Sequence, residues 1–183
     1  MGVKPRAGAM ADIPASPDLR EAALYERLTA LGIVWKTYEH VPVFTVEQST
    51  SVSHHMPGGH TKNLFLKDKK GGLWLVVVQA HLRVDLNALA KQLGAPRYSF
   101  GSAGLLIATL GIEPGSVTPF ALMYDEASAV RPVLDEALLK LDPLNFHPLR
   151  NDRTTAIAAG DLVRFVKACG HDPLVTPIPE IAA

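Results

Sequence analysis

Hydrophobic and polar positions along this 183-residue chain follow two different periods, which predicts a mixture of helices and strands. Apolar residues recur at helical spacing from Ser16 to Gly32, between a serine that can cap a helix and a glycine that can end it. A short helix is predicted over 45–51. Further helices are predicted to begin at Asp85, Ser102 and Asp161, each of which precedes apolar residues at helical spacing.

Extended segments lie between these helices. Residues 61–67 and 73–79 predict a hairpin that turns at Lys69-Lys70-Gly71-Gly72. Segment 53–60, SHHMPGGH, is predicted to be a mobile loop, and 129–141 carries both strand and helix signals. Further strands are predicted at 33–39, 120–124, 146–149 and 154–158. Because no linker or repeat divides the chain, the pattern predicts one mixed α/β (α+β) domain.

Composition limits the classes of protein to which the chain can belong. Hydrophobic residues make up 48% and charged residues 20%, which is typical of a globular chain. No apolar run reaches the roughly 18 residues of a membrane span, and residues 1–17 lack the apolar core of a secretory signal. We therefore expect a cytoplasmic protein that has no contact with a membrane. Since the formal net charge is zero, contact with a nucleic acid requires a local basic patch.

Several common catalytic motifs are missing from the sequence. It contains neither a phosphate-binding loop nor a Gly-x-Ser-x-Gly nucleophile motif. Cys169, the single cysteine, falls on the apolar face of a predicted helix, and we expect it to be inert in the core. Four histidines, at 40, 54, 55 and 60, lack partners at ligand spacing, so we predict solvated loop histidines and no metal site.

Three other segments carry candidate chemistry. Thr61–Leu66 (TKNLFL) places Lys62 and Asn63 at the start of an apolar strand, and strand alternation puts Leu64 and Leu66 on the side of Lys62. Segment 111–120 (GIEPGSVTPF) is a glycine-containing loop that can present backbone N–H groups to an oxyanion. Segment 145–155 (NFHPLRNDRTT) leads from His147 into a polar turn. Taken alone, each segment is more typical of ordinary structure, such as a solvated strand end or a loop connection, than of a functional site.

In combination and in this order, the three segments resemble the YbaK/ProX-type aminoacyl-tRNA editing domain family, and within it the free-standing alanyl-tRNA(Pro) deacylases. The resemblance covers about residues 18–178, which leaves 1–17 as a flexible N-terminal tail and 179–183 as a C-terminal tail. It implies a mixed, largely antiparallel sheet flanked by helices. It also implies that the chain hydrolyses the ester of proline tRNA mischarged with alanine, as a separate editing enzyme without a cofactor.

The resemblance also assigns roles to particular residues. It implies that Lys62, Asn63 and His147 are catalytic, and that Lys67 and Arg97 bind tRNA. The implied substrate-binding residues are Gly101, Gly115, Ser116, Val117, Thr118 and Pro119. Apolar residues near the motifs are candidate walls of an amino-acid pocket: Leu64, Val77 and Leu105.

The implied partners are the acceptor stem of tRNA(Pro) with its 3′ aminoacyl end, and prolyl-tRNA synthetase. We expect a monomer, because no long exposed apolar helix is predicted. Two alternatives remain open at the level of the sequence. The same hydrolysis could act on tRNA mischarged with cysteine, serine or threonine. The chain could instead be a non-catalytic module that binds tRNA or a synthetase.

Overall fold

A computed structural model describes residues 12–182. Within this range the chain forms five α-helices, eight strands and two short 3-10 helices. The α-helices are α1 Pro17–Ala30, α2 Val46–Ser53, α3 Leu86–Gln92, α4 Ala103–Leu110 and α5 Ala159–Ala168. The strands are β1 Trp35–Glu39, β2 Gly59–Asp68, β3 Leu73–Gln79, β4 Tyr98–Phe100, β5 Val130–Asp135, β6 Leu144–Phe146, β7 Arg153–Ile157 and β8 Leu174–Thr176. The 3-10 helices are Pro119–Tyr124 and Leu138–Lys140.

The strands form one mixed sheet in the order β1-β7-β6-β2-β3-β5-β8, with β4 paired to β2. The β1–β7, β2–β3, β2–β4 and β6–β7 pairs are antiparallel, whereas β2–β6, β3–β5 and β5–β8 are parallel. This confirms the mixed α/β fold. The two halves of the sheet meet at the β2–β6 pair, through Gly59 opposite Leu144 and His60 opposite Asn145.

A glycine makes this junction possible. Gly58 has a φ of 94°, and a Cβ at this position would lie 2.1 Å from the carbonyl oxygen of Pro143. A larger residue would therefore hold the two halves apart, because both the backbone angle and the space exclude a side chain. Gly59 then donates from its backbone N–H to the same carbonyl oxygen at 2.8 Å, which fixes the start of β2.

The helix ends predicted at Asp85, Ser102 and Gly111 are confirmed, whereas α5 begins at Ala159, before the predicted Asp161, and the side chain of Ser16 makes no capping hydrogen bond to α1. The Asp85 carboxylate accepts hydrogen bonds from the first N–H groups of α3, and the Ser102 hydroxyl accepts from Leu105 N–H in α4. Gly111 ends α4 in the left-handed conformation, with a φ of 66°. These short-range signals are reliable because the capping group and the backbone it satisfies lie within one turn.

The sheet is covered on both faces. Phe65, Leu75 and Val77 pack into the larger apolar cluster, with α1, α4 and α5. Leu66 and Val76 point the other way, into a smaller cluster with α3. The alternation predicted for β2 is confirmed for these buried residues, with Leu64 packing on the side of Leu66.

Three other local predictions were wrong. Residues 120–124 form a 3-10 helix instead of a strand, because Pro119 begins it and the Thr118 hydroxyl accepts from Phe120 N–H. The predicted loop 53–60 is shorter, since Ser53 still belongs to α2 and Gly59 already belongs to β2. The predicted strand 146–149 ends at Phe146. The three-residue strands β4 and β8 were not predicted.

The chain ends carry contacts of their own. Ile13 packs against the larger apolar cluster, next to Gly111. Near the other end, Asp85 N–H donates to the Pro179 carbonyl, and Ile181 N–H donates to the Arg83 carbonyl. The described parts of both predicted tails therefore contact the domain, while residues 1–11 of the N-terminal tail lie outside the described range.

Candidate active site

Two adjoining hollows open where the halves of the sheet meet. The smaller one, here the inner pocket, has a volume of about 20 Å³ and is lined by polar residues that include Ser53, Asn145 and Thr154. The larger one, here the outer cleft, has a volume of about 190 Å³ and is lined in part by Phe44 and Lys62. Both hollows share a wall made of Ser49, Thr61, Asn63 and His147. The inner pocket has room for about one water-sized group.

Asn63 joins strand β2 to the glycine loop. Its side-chain Nδ2 donates to the Val117 carbonyl at 3.0 Å. Since Val117 and Gly115 both line the outer cleft, this hydrogen bond holds the loop against the strand. The Asn63 Oδ1 atom is buried and has no hydrogen-bond partner, so one strong acceptor remains unused in the shared wall.

His147 is held in a defined tautomer. Its Nδ1 lies 2.9 Å from the Arg153 carbonyl oxygen, and because a carbonyl can only accept, Nδ1 must carry the hydrogen. Burial lowers the pKa of His147 below its usual 6.5 and outweighs the hydrogen bond to Arg153, which acts in the opposite direction. The ring is therefore neutral near pH 7, and Nε2 keeps its lone pair as an acceptor or general base.

A second histidine lies beside His147. The ring centroids of His40 and His147 are 6.2 Å apart. His40 Nδ1 is 2.7 Å from the Val41 carbonyl oxygen, so this nitrogen donates, and Nε2 is hydrogen-bonded to the Thr154 hydroxyl at 2.9 Å. His40 thus orients Thr154, which lines the inner pocket.

Lys62 lines the outer cleft next to Asn63. Its side chain is half-buried, and this burial lowers the pKa of Lys62, while the charge of Glu180 acts in the opposite direction. The ammonium group supplies a positive charge at the mouth of the site, where a phosphate or a developing oxyanion would be stabilised.

The glycine loop contributes in two ways. Gly115, with a φ of 90°, and Val117 line the outer cleft directly. Ser116, Thr118 and Pro119 are buried behind them and support the loop, with Ser116 N–H donating to the Glu113 carbonyl.

Gly101 occupies a different place from the other predicted substrate-binding residues. It does not line either hollow, and its N–H donates to the Phe65 carbonyl. A Cβ at Gly101 would lie 2.4 Å from the Phe65 ring. The space beside Gly101 is therefore filled by this buried ring, and a role of Gly101 in substrate binding stays a prediction.

The two predicted tRNA-binding residues are exposed and lie near each other. Lys67 is opposite Ser99 in the β2–β4 pair, two residues from Arg97. Lys67 lies five positions after Lys62 along strand β2, which corresponds to about 16 Å. The structure thus places Lys67 and Arg97 outside the cavity, on the strand that runs from it.

Several residues of the cavity were missed by sequence reasoning. Of its apolar wall residues, Val117 was predicted but Val43, Phe44 and Val46 were not, whereas the predicted Leu64, Val77 and Leu105 do not line it. Phe44 is 69% exposed, which is unusual for a large apolar side chain and marks the rim of the outer cleft. Among the polar wall residues without a predicted role, Thr61, Asn145 and Thr154 belong to segments that the sequence singled out, whereas Ser49 and Ser53 do not.

An ion-pair network supports the loop that holds His147. Glu21 of α1 is buried and accepts hydrogen bonds from Arg153 at 2.9 Å, Arg150 at 3.1 Å and the Tyr25 hydroxyl at 2.8 Å. Arg150 also pairs with Asp152. Because the Arg153 carbonyl accepts from His147, this network positions the imidazole ring from the opposite side of the loop.

The remaining candidate chemistry lies elsewhere. Burial raises the pKa of Cys169 to about 11, which keeps the thiol protonated and unreactive near neutral pH. Among residues 12–182, no group of three or more histidine, cysteine or acidic side chains is arranged to hold a metal ion. No helix in the same range is both long enough and apolar enough to span a bilayer.

Comparison with known proteins gives a consistent result. The profile of the family described as the aminoacyl-tRNA editing domain matches residues 40–165. The prolyl-tRNA synthetase associated domain-containing protein 1 of Bos taurus is 42% identical over 166 residues, covering 88% of this chain and 96% of the bovine protein. The prolyl-tRNA editing protein ProX of Acetoanaerobium sticklandii is 33% identical over 150 residues, covering 81% and 92% of the two chains.

Solved structures share the fold. One, a candidate trans-editing enzyme for prolyl tRNA synthetase, superposes with a TM-score of 0.66 at 18% identity, covering 88% of this chain and 98% of that structure. At this identity the likeness concerns the fold alone.

Proposed function

The chain belongs to the aminoacyl-tRNA editing domain family, and from this we propose that it is a free-standing deacylase that hydrolyses the ester of alanine wrongly attached to tRNA(Pro). The observation that carries the proposal is the cavity at the centre of the sheet. It unites Lys62, Asn63, His147 and the glycine loop, three segments that lie far apart in the sequence.

The proposed reaction fits the groups in this cavity. An aminoacyl ester is already activated, so its hydrolysis requires an oriented water and stabilisation of the developing oxyanion, without a covalent nucleophile. His147, with its free Nε2, is the candidate base or acceptor for this water. Lys62 provides positive charge at the rim, where it would anchor the acceptor end or offset the oxyanion. A Schiff base is not expected, because an ester is not a ketone.

The need to remove alanine follows from the limited selectivity of the synthetase that charges the tRNA. A synthetase pocket built for proline cannot exclude a smaller amino acid, because each missing methylene weakens binding by only about 1–3 kcal/mol. A second and smaller site reverses this selection by admitting alanine and excluding proline. The small volume of the inner pocket supports such a site.

Recognition of the tRNA is proposed to involve Lys67 and Arg97. Both are exposed; Lys67 lies five positions after Lys62 along β2, and Arg97 precedes the strand β4 that pairs with β2 at Lys67, a distance suited to the acceptor stem when its 3′ end enters the outer cleft. Relatives named for prolyl-tRNA synthetase association make that synthetase a candidate partner. We further propose a cytoplasmic, monomeric protein whose domain spans residues 18–178.

Deacylation of a panel of charged tRNAs tests the proposal. Alanine, cysteine, serine, threonine and proline are each attached to tRNA(Pro), and alanine is also attached to its own tRNA. We expect rapid loss of alanine from tRNA(Pro) alone. Rapid loss of cysteine, serine or threonine would retain the reaction and change the substrate. Binding of the tRNA without hydrolysis of any ester would replace the deacylase with a binding module.

Lys62 provides the matched test of the site. Lys62→Ala is expected to lower deacylation by at least 100-fold, which corresponds to about 3 kcal/mol of lost electrostatic stabilisation. Lys167→Ala, at an exposed position of α5, removes the same side chain far from the cavity and should retain full activity. A folded Lys62→Ala protein with wild-type turnover would exclude the lysine from the mechanism.

A further inference from the structure

The last described residues of the chain are fixed against the sheet, although the sequence placed them in a C-terminal tail. Glu180 forms an antiparallel bridge with Val84, in the segment between β3 and α3. Two backbone hydrogen bonds flank this bridge: Asp85 N–H to the Pro179 carbonyl at 2.9 Å, and Ile181 N–H to the Arg83 carbonyl at 2.8 Å. The backbone of Glu180 therefore has a defined position.

Glu180 and Lys62 lie on the same face of the sheet. Lys62 is opposite Val78 in the β2–β3 pair, and the side chain of Val78 is buried in the smaller apolar cluster. Val84, which is opposite Glu180, packs against the same cluster. Because residues directly opposite each other in paired strands direct their side chains to one face, Lys62 follows Val78 and Glu180 follows Val84. Lys62 also lines the outer cleft, so the cleft and the face that carries Glu180 share this lysine.

The charges of Lys62 and Glu180 attract each other without a direct salt bridge. Burial lowers the pKa of Lys62, and the carboxylate of Glu180 acts in the opposite direction by favouring the ammonium form. None of the ion pairs formed within residues 12–182 includes Lys62. Since Glu180 is exposed, water weakens the attraction. The ammonium is thus held near Glu180 and is still free to move to another anion.

We propose that Glu180 is the counter-ion of Lys62 in the empty enzyme, and that a phosphate at the 3′ end of the tRNA takes this lysine over from Glu180 when the substrate binds. The inference rests on the proposed function, which gives Lys62 an anionic partner on the tRNA. A half-buried ammonium without any partner is unfavourable, because burial removes part of its hydration. The exchange of one anion for another keeps the charge of Lys62 compensated before and after binding.

This exchange makes Glu180 a positioning residue that moderates the affinity for tRNA. The apparent affinity of a site falls in proportion to the fraction of molecules in the state that can bind. In that state the Lys62 ammonium faces the cleft and has left Glu180. Because the deacylated tRNA carries the same phosphates as the substrate, the return of Lys62 to Glu180 also favours release of the product.

A double-mutant cycle tests the exchange. Binding is measured with tRNA(Pro) that carries alanine through a 3′ amide, which is far less reactive than the natural ester. Glu180→Gln removes the charge and keeps the shape, and we expect it to lower the Kd by about 2- to 5-fold, the range for an exposed ion pair. Lys62→Met keeps the aliphatic chain without the ammonium. In this background Glu180→Gln should change the Kd markedly less, since the interaction that binding disrupts is already absent.

Single-turnover kinetics and a matched control complete the test. Glu180→Gln should leave the rate of alanine removal at saturating enzyme unchanged, because Lys62 makes the same contact once the substrate is bound. Glu113→Gln removes the same charge from an exposed position of the glycine loop. Its effect on the Kd should be equal with and without the Lys62 ammonium, because Glu113 is not the counter-ion of this lysine.

The outcomes separate this inference from the proposed function. Equal effects of Glu180→Gln in the two backgrounds would overturn the exchange and indicate general repulsion of tRNA by the carboxylate. Weaker binding by Glu180→Gln would overturn it as well and indicate a structural role of the C-terminal segment. Both results leave the deacylase in place as long as the wild-type enzyme removes alanine from tRNA(Pro). Failure of the wild-type enzyme to remove alanine would refute the proposed function, and the exchange with it.

Discussion

Glu21 is the residue of helix α1 whose removal should have the largest effect outside the cavity. Its side chain is 5% exposed and accepts from Arg150, Arg153 and the Tyr25 hydroxyl. Glu21→Ala removes these acceptors and leaves two arginine side chains facing each other without the carboxylate between them. Removing one partner of a fully buried pair lowers the free energy of unfolding by about 3–5 kcal/mol.

The expected value for Glu21→Ala is smaller, since its partners are not fully buried. The side chains of Arg150 and Arg153 are 15% and 30% exposed, and they retain the carboxylates of Asp152 and Glu39. Solvent and these remaining partners screen part of the loss, so we expect a decrease of about 2–3 kcal/mol. In a chain of this size, that decrease corresponds to a Tm lower by roughly 5–10 °C.

Urea unfolding followed by tryptophan fluorescence measures this change. Trp35 is a suitable probe because its ring stacks on Tyr25 at 5.2 Å, directly beside Glu21. Glu26→Ala, at an exposed position of the same helix, is the control for helix propensity and charge. A loss in Glu21→Ala no greater than in the control would refute the reasoning, because the network would then contribute nothing beyond its surface charges.

Three further predictions concern the site and its surroundings. Burial lowers the pKa of His147, so the neutral ring that the proposed mechanism requires still predominates at pH 6.5; kcat/KM should fall only in more acidic solution, as pH drops through the pKa of the folded protein, and a decline that begins above pH 7 would contradict this. Gly101→Ala should lower the free energy of unfolding by about 1–3 kcal/mol, because its Cβ overlaps a buried ring, whereas Gly104→Ala has open space and should be neutral or slightly stabilising in thermal melts. Lys67→Ala and Arg97→Ala should weaken tRNA binding and reduce the dependence of the binding constant on salt concentration, without changing single-turnover rates at saturation. If this salt dependence is unchanged in both variants, neither residue belongs to the tRNA interface.

Elements defined by neighbouring residues could be predicted from the sequence. The helices that begin after Asp85 and Ser102, and the β2–β3 hairpin, depend on caps and turns within a few residues. Segment 120–124 could not be assigned in this way. Its apolar residues are buried on every side by tertiary packing, so they show neither helical nor strand periodicity.

The candidate site likewise contains residues that the sequence could predict and residues that it could not. Lys62 and His147 were accessible to prediction because they stand in motifs with a recognisable order. Ser49 and Phe44 have no such signal, since they reach the cavity only through the placement of α2 and the loop before it. Asn145 also carries a buried amide oxygen without a hydrogen-bond partner, and this is invisible in a sequence because it depends on which end of the amide meets Pro57 and Gly59.

The narrow β2–β6 junction has a consequence for how specificity can diverge. Strand β2 carries Lys62 and, farther along, Lys67 beside Arg97, while the segment that begins at β6 carries Asn145 and His147. The proposed tRNA contacts therefore lie in one half of the sheet, whereas the candidate active site draws Lys62 and Asn63 from that half and His147 from the other, and two residue pairs join the halves. Mutations in the half that carries β6 and β7 can thus change the amino-acid site while the proposed contacts of Lys67 and Arg97 with tRNA stay in place.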